Sequence, residues 1–402
     1  MALNMKTLTF DSPDKGLLTY TDKKRWLWVL SLAYPLFPVA GVVAHYYTGN
    51  EIALFLPLFL IYVIIPALDW MLGEDLNNPP EEVVPQLSKD NYYRRLLHFT
   101  GPMHFISFFV CVYWAGTQSL SWWGFLGLTI ATGIASGLGL NTSHELGHKS
   151  DKLDRLLAKL VLAVSGYGHF CIEHNAGHHR HVATPLDSAS SKMGENIYEF
   201  SLREIPGGFK RGWNLQKLLL ERQGNSVWSL KHNDLLQSYA LTAVMQIGAL
   251  IAFGWIMVPF LIIHNVFAWW QLTSANYIEH YGLLRATKEN GRYENCQPHH
   301  SWNSNHIFSN LVLYHLERHS DHHAHPMRPY QSLRHFDNVP ELPNGYFGSF
   351  LLAYIPWLWF KIMDPKLLAL NHIQGDMSKI NILPKKRDAL VKKYGSELDR
   401  VA

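Results

Sequence analysis

Three long stretches of this 402-residue chain, 26–88, 96–148 and 232–284, contain no Lys or Arg, although the chain carries 35 of them. Each stretch is long enough for two helices of about 20 residues, the length that crosses a bilayer. Each also breaks near its middle, at YYTGNE (46–51), GTQSLS (116–121) and FGWIMVP (253–259). The pattern predicts an all-α integral membrane protein of three helical hairpins. Its six spans lie near 26–47, 52–72, 96–115, 122–140, 236–254 and 258–279. All 35 Lys and Arg then fall on one side, which the positive-inside rule makes cytoplasmic, together with both termini. Buried core helices of a soluble protein are the competing reading, and three charge-poor hairpins in phase argue against it.

Composition agrees. Charged residues are 17% of the chain, and 14 Trp, 19 Tyr and 20 Phe suit membrane interfaces. A net charge of +3 gives no basic surface of the kind that binds nucleic acid. The opening MALNMKTLTFDSPDKG lacks the basic-then-apolar order of a cleaved leader. The remaining segments are read as cytoplasmic: an N-terminal piece (1–25), a proline-broken loop within the first four spans (73–95), a histidine-rich region (141–235) and a C-terminal region (281–402). Residues 154–170 read as a helix lying at the membrane boundary, because Lys159 interrupts them. Residues 348–361 read as one more interfacial helix. No internal repeat is evident.

The cytoplasmic regions carry histidines at metal-binding spacings. HELGH holds His144 and His148; EHNAGHH holds His174, His178 and His179; RHSDHH holds His319, His322 and His323; NYIEHYG adds His280. The topology brings these scattered groups to one face of the membrane. Residues four apart share a helix face, so His144/His148, His174/His178 and His319/His323 are each expected to close on one ion. Adjacent residues diverge by about 100° around a helix, so His178 and His179 should serve different ions, as should His322 and His323. Nine ligands divide into a site of four and a site of five. All-imidazole ligation suits iron, copper, zinc or nickel. His45, His98, His104 and His264 are single and lie in or near spans. His169, His181, His299, His300, His306, His315 and His325 lack a pairing logic, with His306 and His325 the strongest exceptions.

This constellation, with GEDLNNPPEEVVP, GYGHFCIEHNAGHHRHVATP, NYIEHYGLLR, HHSWNSNHIFSNLVLYHLERHSDHHAHP and YQSLR, closely resembles the membrane-bound alkane 1-monooxygenases. These group with fatty-acid desaturases and xylene monooxygenases among histidine-rich membrane di-iron oxygenases. The resemblance runs from about residue 20 to 385. It implies two non-haem irons held by His144, His148, His174, His178, His179, His280, His319, His322 and His323. It further implies terminal hydroxylation of medium-chain n-alkanes with O2, electrons from rubredoxin and its reductase, and residence in a bacterial inner membrane.

The chemistry fits the residues. Breaking an unactivated C–H bond needs metal–oxygen chemistry that side chains cannot supply. Glu145, Glu173, Asp187, Asn303 and Asp321 are candidates to orient the imidazoles. An alkane partitions into the bilayer, so a channel through the spans is expected, with Ile61, Ile64, Ile65 and Leu138 setting chain length. The glycines of 124–141 are read chiefly as close helix packing.

Two other readings compete. A zinc protease would use His144, His148 and Glu145 and leave the other clusters idle. A metal transporter would carry ionisable groups inside the spans, where Asp69, near a cytoplasmic end, is read as the only acid. The three cysteines (Cys111, Cys171, Cys296) form no CxxC, and no GxGxxG flavin fingerprint is present. Electrons must therefore arrive from outside, and Lys149, Arg180, Arg285, Arg328 and Arg334 are read as a dock for a small acidic carrier.

Overall fold

The computed structural model describes residues 7–12 and 16–395; the outer ends of both terminal segments, including residues 1–6 of the leader reading, lie outside the described residues. The chain opens with an antiparallel hairpin, β1 (Thr7–Ser12) and β2 (Gly16–Thr21). This corrects the all-α expectation for the described residues. The alternation Leu8–Thr9–Phe10 has the strand period, and Phe10 is buried against Val83 and Leu87.

Helices follow: α1 (Leu27–Thr48), α2 (Glu51–Leu72), α3 (Asn91–Thr117) and α4 (Trp122–Gly147). Next come α5 (Lys152–Ser165) and α6 (Phe170–His181), bent by 120° at their junction, then α7 (Ile197–Arg222). The pair α8 (Asp234–Phe253) and α9 (Met257–His280) follows, then α10 (His319–Ala324), α11 (Tyr346–Ala353) and α12 (Pro356–Leu368). Among the described residues, five helical segments are long and apolar enough to cross a membrane, or six if the bent pair α5–α6 counts as one. In that count α8 and α9 form a single 47-residue segment. It breaks at Gly254, whose φ of 76° ends α8. Gln246 and Asn265 exchange amide hydrogen bonds (3.1 and 3.3 Å), so the two arms lie side by side.

The midpoint breaks of the three Lys/Arg-free stretches meet at one end of the bundle. The Ser121 N–H (2.7 Å) and hydroxyl both donate to the Glu51 carboxylate. A Cβ at Gly116 would strike the Phe253 ring. Val244, Ile247 and Ile251 on α8 and Ile262 on α9 are exposed, a surface suited to lipid rather than water.

Helix α4 is the centre of the packing. Every residue from 131 to 146 is buried, which explains why its sequence is apolar all round and rich in glycine. A Cβ at Gly133 would lie 2.6 Å from the His264 carbonyl, and one at Gly137 2.6 Å from that of Ala268. Close approach to α9 is therefore the use of these glycines. Gly137→Leu is expected to push α4 from α9 and to destabilise the protein by at least about 1–3 kcal/mol, the usual cost of overpacking. Thermal unfolding in detergent checks this.

Two helix boundaries differ instructively from expectation. The third and fourth helices begin earlier or run later than 96–115 and 122–140, and α4 thereby carries His144 on its own last turn. The interfacial helix expected at 348–361 is two helices, because Pro356 has no N–H to continue the first and instead begins the second.

Candidate metal centre

Four elements deliver the histidines. The end of α4 supplies His144 and His148, α6 supplies His174, His178 and His179, α9 ends on His280, and α10 carries His319, His322 and His323. They form two groups. His144, His148, His174, His179 and His322 present atoms within 4.8 Å of one another, and so do His178, His280, His319 and His323. His178/His179 and His322/His323 divide between the groups, and His144/His148 and His319/His323 stay together.

The expected pairing of His174 with His178 does not hold. Residues 174–178 form a π turn, which brings residues five apart to one side. His174 and His179 therefore face each other, with Nε2 atoms 3.0 Å apart, and His178 turns to the other group.

Within the groups the Nε2 atoms converge. His144–His322 (2.9 Å) and His322–His179 (3.1 Å) belong to the first; His319–His323 (2.9 Å), His178–His323 (3.3 Å) and His280–His319 (3.3 Å) belong to the second. Two metal–nitrogen bonds of about 2.1 Å at right angles put their nitrogens about 3.0 Å apart. The buried Nε2 of His148 has no hydrogen-bond partner. Each neutral Nε2 offers one proton or one lone pair, yet those of His322 and His323 each face two other ring nitrogens, an arrangement that a shared cation satisfies. The donor set therefore fits two transition-metal ions.

Electrostatics keeps the set ready to ligate. Burial and the neighbouring imidazoles hold His148, His174, His179, His319, His322 and His323 well below the ordinary histidine value. At His178 burial acts the same way, but the Asp187 carboxylate against its Nδ1 (2.9 Å) wins and raises it. The unfolded chain, with histidines near 6.5, binds more protons than the folded one below that pH. Stability of the metal-free protein is therefore full above about pH 6.5 and declines as pH falls beneath it, since the depressed residues outnumber His178. Denaturation midpoints of stripped protein between pH 7.5 and 5.5 should show that decline.

The expected supporting residues divide. Asp187 does support a candidate ligand, and is itself held by Ser190 (2.6 Å) and Arg211 (2.7 Å). Glu173 pairs with Arg211. Asn303 accepts from the Ser320 N–H (3.4 Å) at the start of α10. Asp321 faces away, toward His325 (2.7 Å) and Arg328 (3.0 Å). The Glu145 carboxylate lies 3.8 Å from Lys149. Sequence reasoning missed Glu279: its Oε2 lies 3.3 Å from His319 Nε2. An acid closing an apolar span was the available signal. His306 binds Ser304 (2.9 Å) and joins neither group.

A cavity between α4, α9 and α11 opens onto both groups. His144, His174 and His319 line its metal end, and Gly137, Leu138, Leu140, Leu272, Ala275, Leu313 and Phe350 make its walls largely apolar. Of the expected channel residues only Leu138 lines it. Ile61 and Ile65 are buried in the same hydrophobic cluster, and Ile64 is half-buried beside them.

Known proteins with similar sequences decide the family. A family model described as fatty acid desaturase matches residues 120–357. The alkane 1-monooxygenase of Pseudomonas putida is 54% identical over 98% of this chain and 96% of its own length. That of Ectopseudomonas oleovorans is 55% identical over 94% of this chain and 93% of its own. The chain belongs to the alkane 1-monooxygenase family. A more distant relative, the xylene/toluene monooxygenase hydroxylase component XylM of Pseudomonas putida, is 30% identical over 57% of this chain and 60% of its own length. Membership in the alkane 1-monooxygenase family does not favour the protease reading. That reading uses His144, His148 and Glu145 alone, whereas this chain gathers five histidines in the same group.

Proposed function

We propose that this chain hydroxylates the terminal carbon of medium-chain n-alkanes, using O2 and two electrons from rubredoxin and its reductase. Two non-haem irons are held by His144, His148, His174, His179 and His322 on one side and by His178, His280, His319 and His323 on the other. The observation that carries this reading is the apolar cavity opening onto both histidine groups. Iron bound there supplies the O2 activation that side chains lack. One oxygen atom enters the alkane, and the other leaves as water with two electrons and two protons.

The chain's own residues do the rest. Leu138, Leu272, Ala275 and Phe350 exclude water and present the hydrocarbon to the histidine end. Asp187 fixes the ring of His178 through Nδ1, the usual carboxylate support of a metal-binding imidazole. Glu279 Oε2, beside His319 and on the cavity wall, is placed to hold a proton next to the reacting end.

In this reading α1, α2, α3, α4, α8 and α9 make six crossings in a bacterial inner membrane, with the histidines and both termini on the cytoplasmic side. The 47 residues of α8 and α9 would extend about 70 Å as one helix, more than twice the hydrocarbon thickness, which favours two passes. The bent α5–α6 pair stays at the boundary.

The dock for the donor is narrower than the sequence suggested. Lys149 faces Glu145, Arg328 and Arg334 pair with Glu81, and Arg285 is committed to backbone carbonyls. Arg180 is exposed, next to His179, and shares a surface hollow with Lys210 and His181. That basic hollow suits a small acidic carrier.

Product analysis tests the reading. With the carrier system present, octane should give mainly 1-octanol, because a narrow cavity admits the chain end-on. Leu138→Phe should shift preference toward shorter alkanes by about tenfold, the scale of one or two methylenes in an apolar pocket. A product mixture rich in internal alcohols would contradict end-on presentation.

A further inference from the structure

A third cluster of metal-binding side chains lies outside the two histidine groups. Glu294, His299 and His300 present atoms within 4.8 Å of one another. His372, beyond α12, lays its ring against His299 at 4.6 Å between centroids. Its Nε2 is buried and has no hydrogen-bond partner.

Hydrogen bonds sort these residues into ligands and a support. The Gln297 N–H donates to His300 Nδ1 (2.9 Å), so that nitrogen keeps its lone pair and the ring proton sits on Nε2. From there it faces Glu294 Oε1 at 3.3 Å, and the Ala286 N–H donates to the same oxygen (2.8 Å). His300 therefore holds the carboxylate and is not free to ligate. Glu294 Oε2 and His299 remain, and His372, which meets the group through the His299 ring, adds an unpartnered Nε2. Burial lowers His299 and brings His372 down to about 4, which leaves both rings neutral at pH 7.

We propose that Glu294, His299 and His372 form a further metal site, for a divalent transition cation such as zinc, with His300 orienting the carboxylate. Two imidazoles and one carboxylate with open positions suit zinc or another divalent transition cation, iron included, and not magnesium or calcium. The site is also tied to the reaction centre. His280 Nδ1 donates to the His300 carbonyl (3.4 Å), so a cation at Glu294 restrains the segment that orients His280.

The test uses iron-loaded full-length protein in detergent, titrated with Zn2+ against a competing indicator and then analysed for both metals. Wild type should bind about one zinc per chain with its iron unchanged. His372→Ala and Glu294→Gln, both at partly exposed positions, should keep their iron and lose at least about tenfold in zinc affinity. Retained iron reports that each variant is folded. Equal zinc affinity in wild type and both variants would overturn the site. So would the absence of tight zinc in wild type, or zinc gained only as iron is lost.

Discussion

His179→Ala and His323→Ala are each expected to abolish octane hydroxylation, by more than about 100-fold, while the protein still inserts and folds. The two residues face different groups. His179 Nε2 meets His174 and His322, whereas His323 Nε2 meets His178 and His319. Each substitution removes a donor from one group and leaves the other complete. Iron analysis of either variant should therefore show about half the wild-type metal, because a site that loses one of its few imidazoles binds its ion far more weakly. Activity should fall almost to nothing in both, since the reading requires both ions. A variant with full activity would remove that residue from the ligand set.

Turnover should depend just as completely on an added electron donor. Each cycle consumes two electrons, and the chain has neither a cysteine quartet nor a flavin fingerprint with which to store them. Purified protein with NADH and O2 alone is expected to be inactive, and rubredoxin with its reductase should restore alkane oxidation. Docking at the Arg180–Lys210 hollow predicts that Arg180→Glu raises the carrier concentration needed for half-maximal rate. Raising salt should do the same in wild type, because surface charges are screened beyond about 8 Å at physiological ionic strength. Turnover with NADH and no carrier would reveal a redox centre of the chain's own.

Much of this architecture is legible in the sequence because its signals are long or redundant. Exclusion of Lys and Arg over more than fifty residues marks the hairpins whatever the packing. The four-residue spacings of His144/His148 and His319/His323 survive folding because both pairs sit on regular helix. His174 and His178 have the same spacing, yet a π turn separates them, and that turn depends on contacts around α6 that no local pattern records. Ile61, Ile64 and Ile65 lie on α2, which supplies no residue to the cavity lining. Which helices meet the cavity is a tertiary fact, and α4, α9 and α11 make its walls instead. Glu279 was hidden by its neighbours, an acid read as part of an apolar run ending in His280. Pro356 marks the split between α11 and α12, but largely apolar residues on both sides of it give the pattern of one helix.

Metal analysis of the purified wild-type protein tests the central claim most directly. Two complete imidazole groups predict about two irons per chain, bound without zinc at either group. A single zinc per chain, with iron absent, would contradict the account.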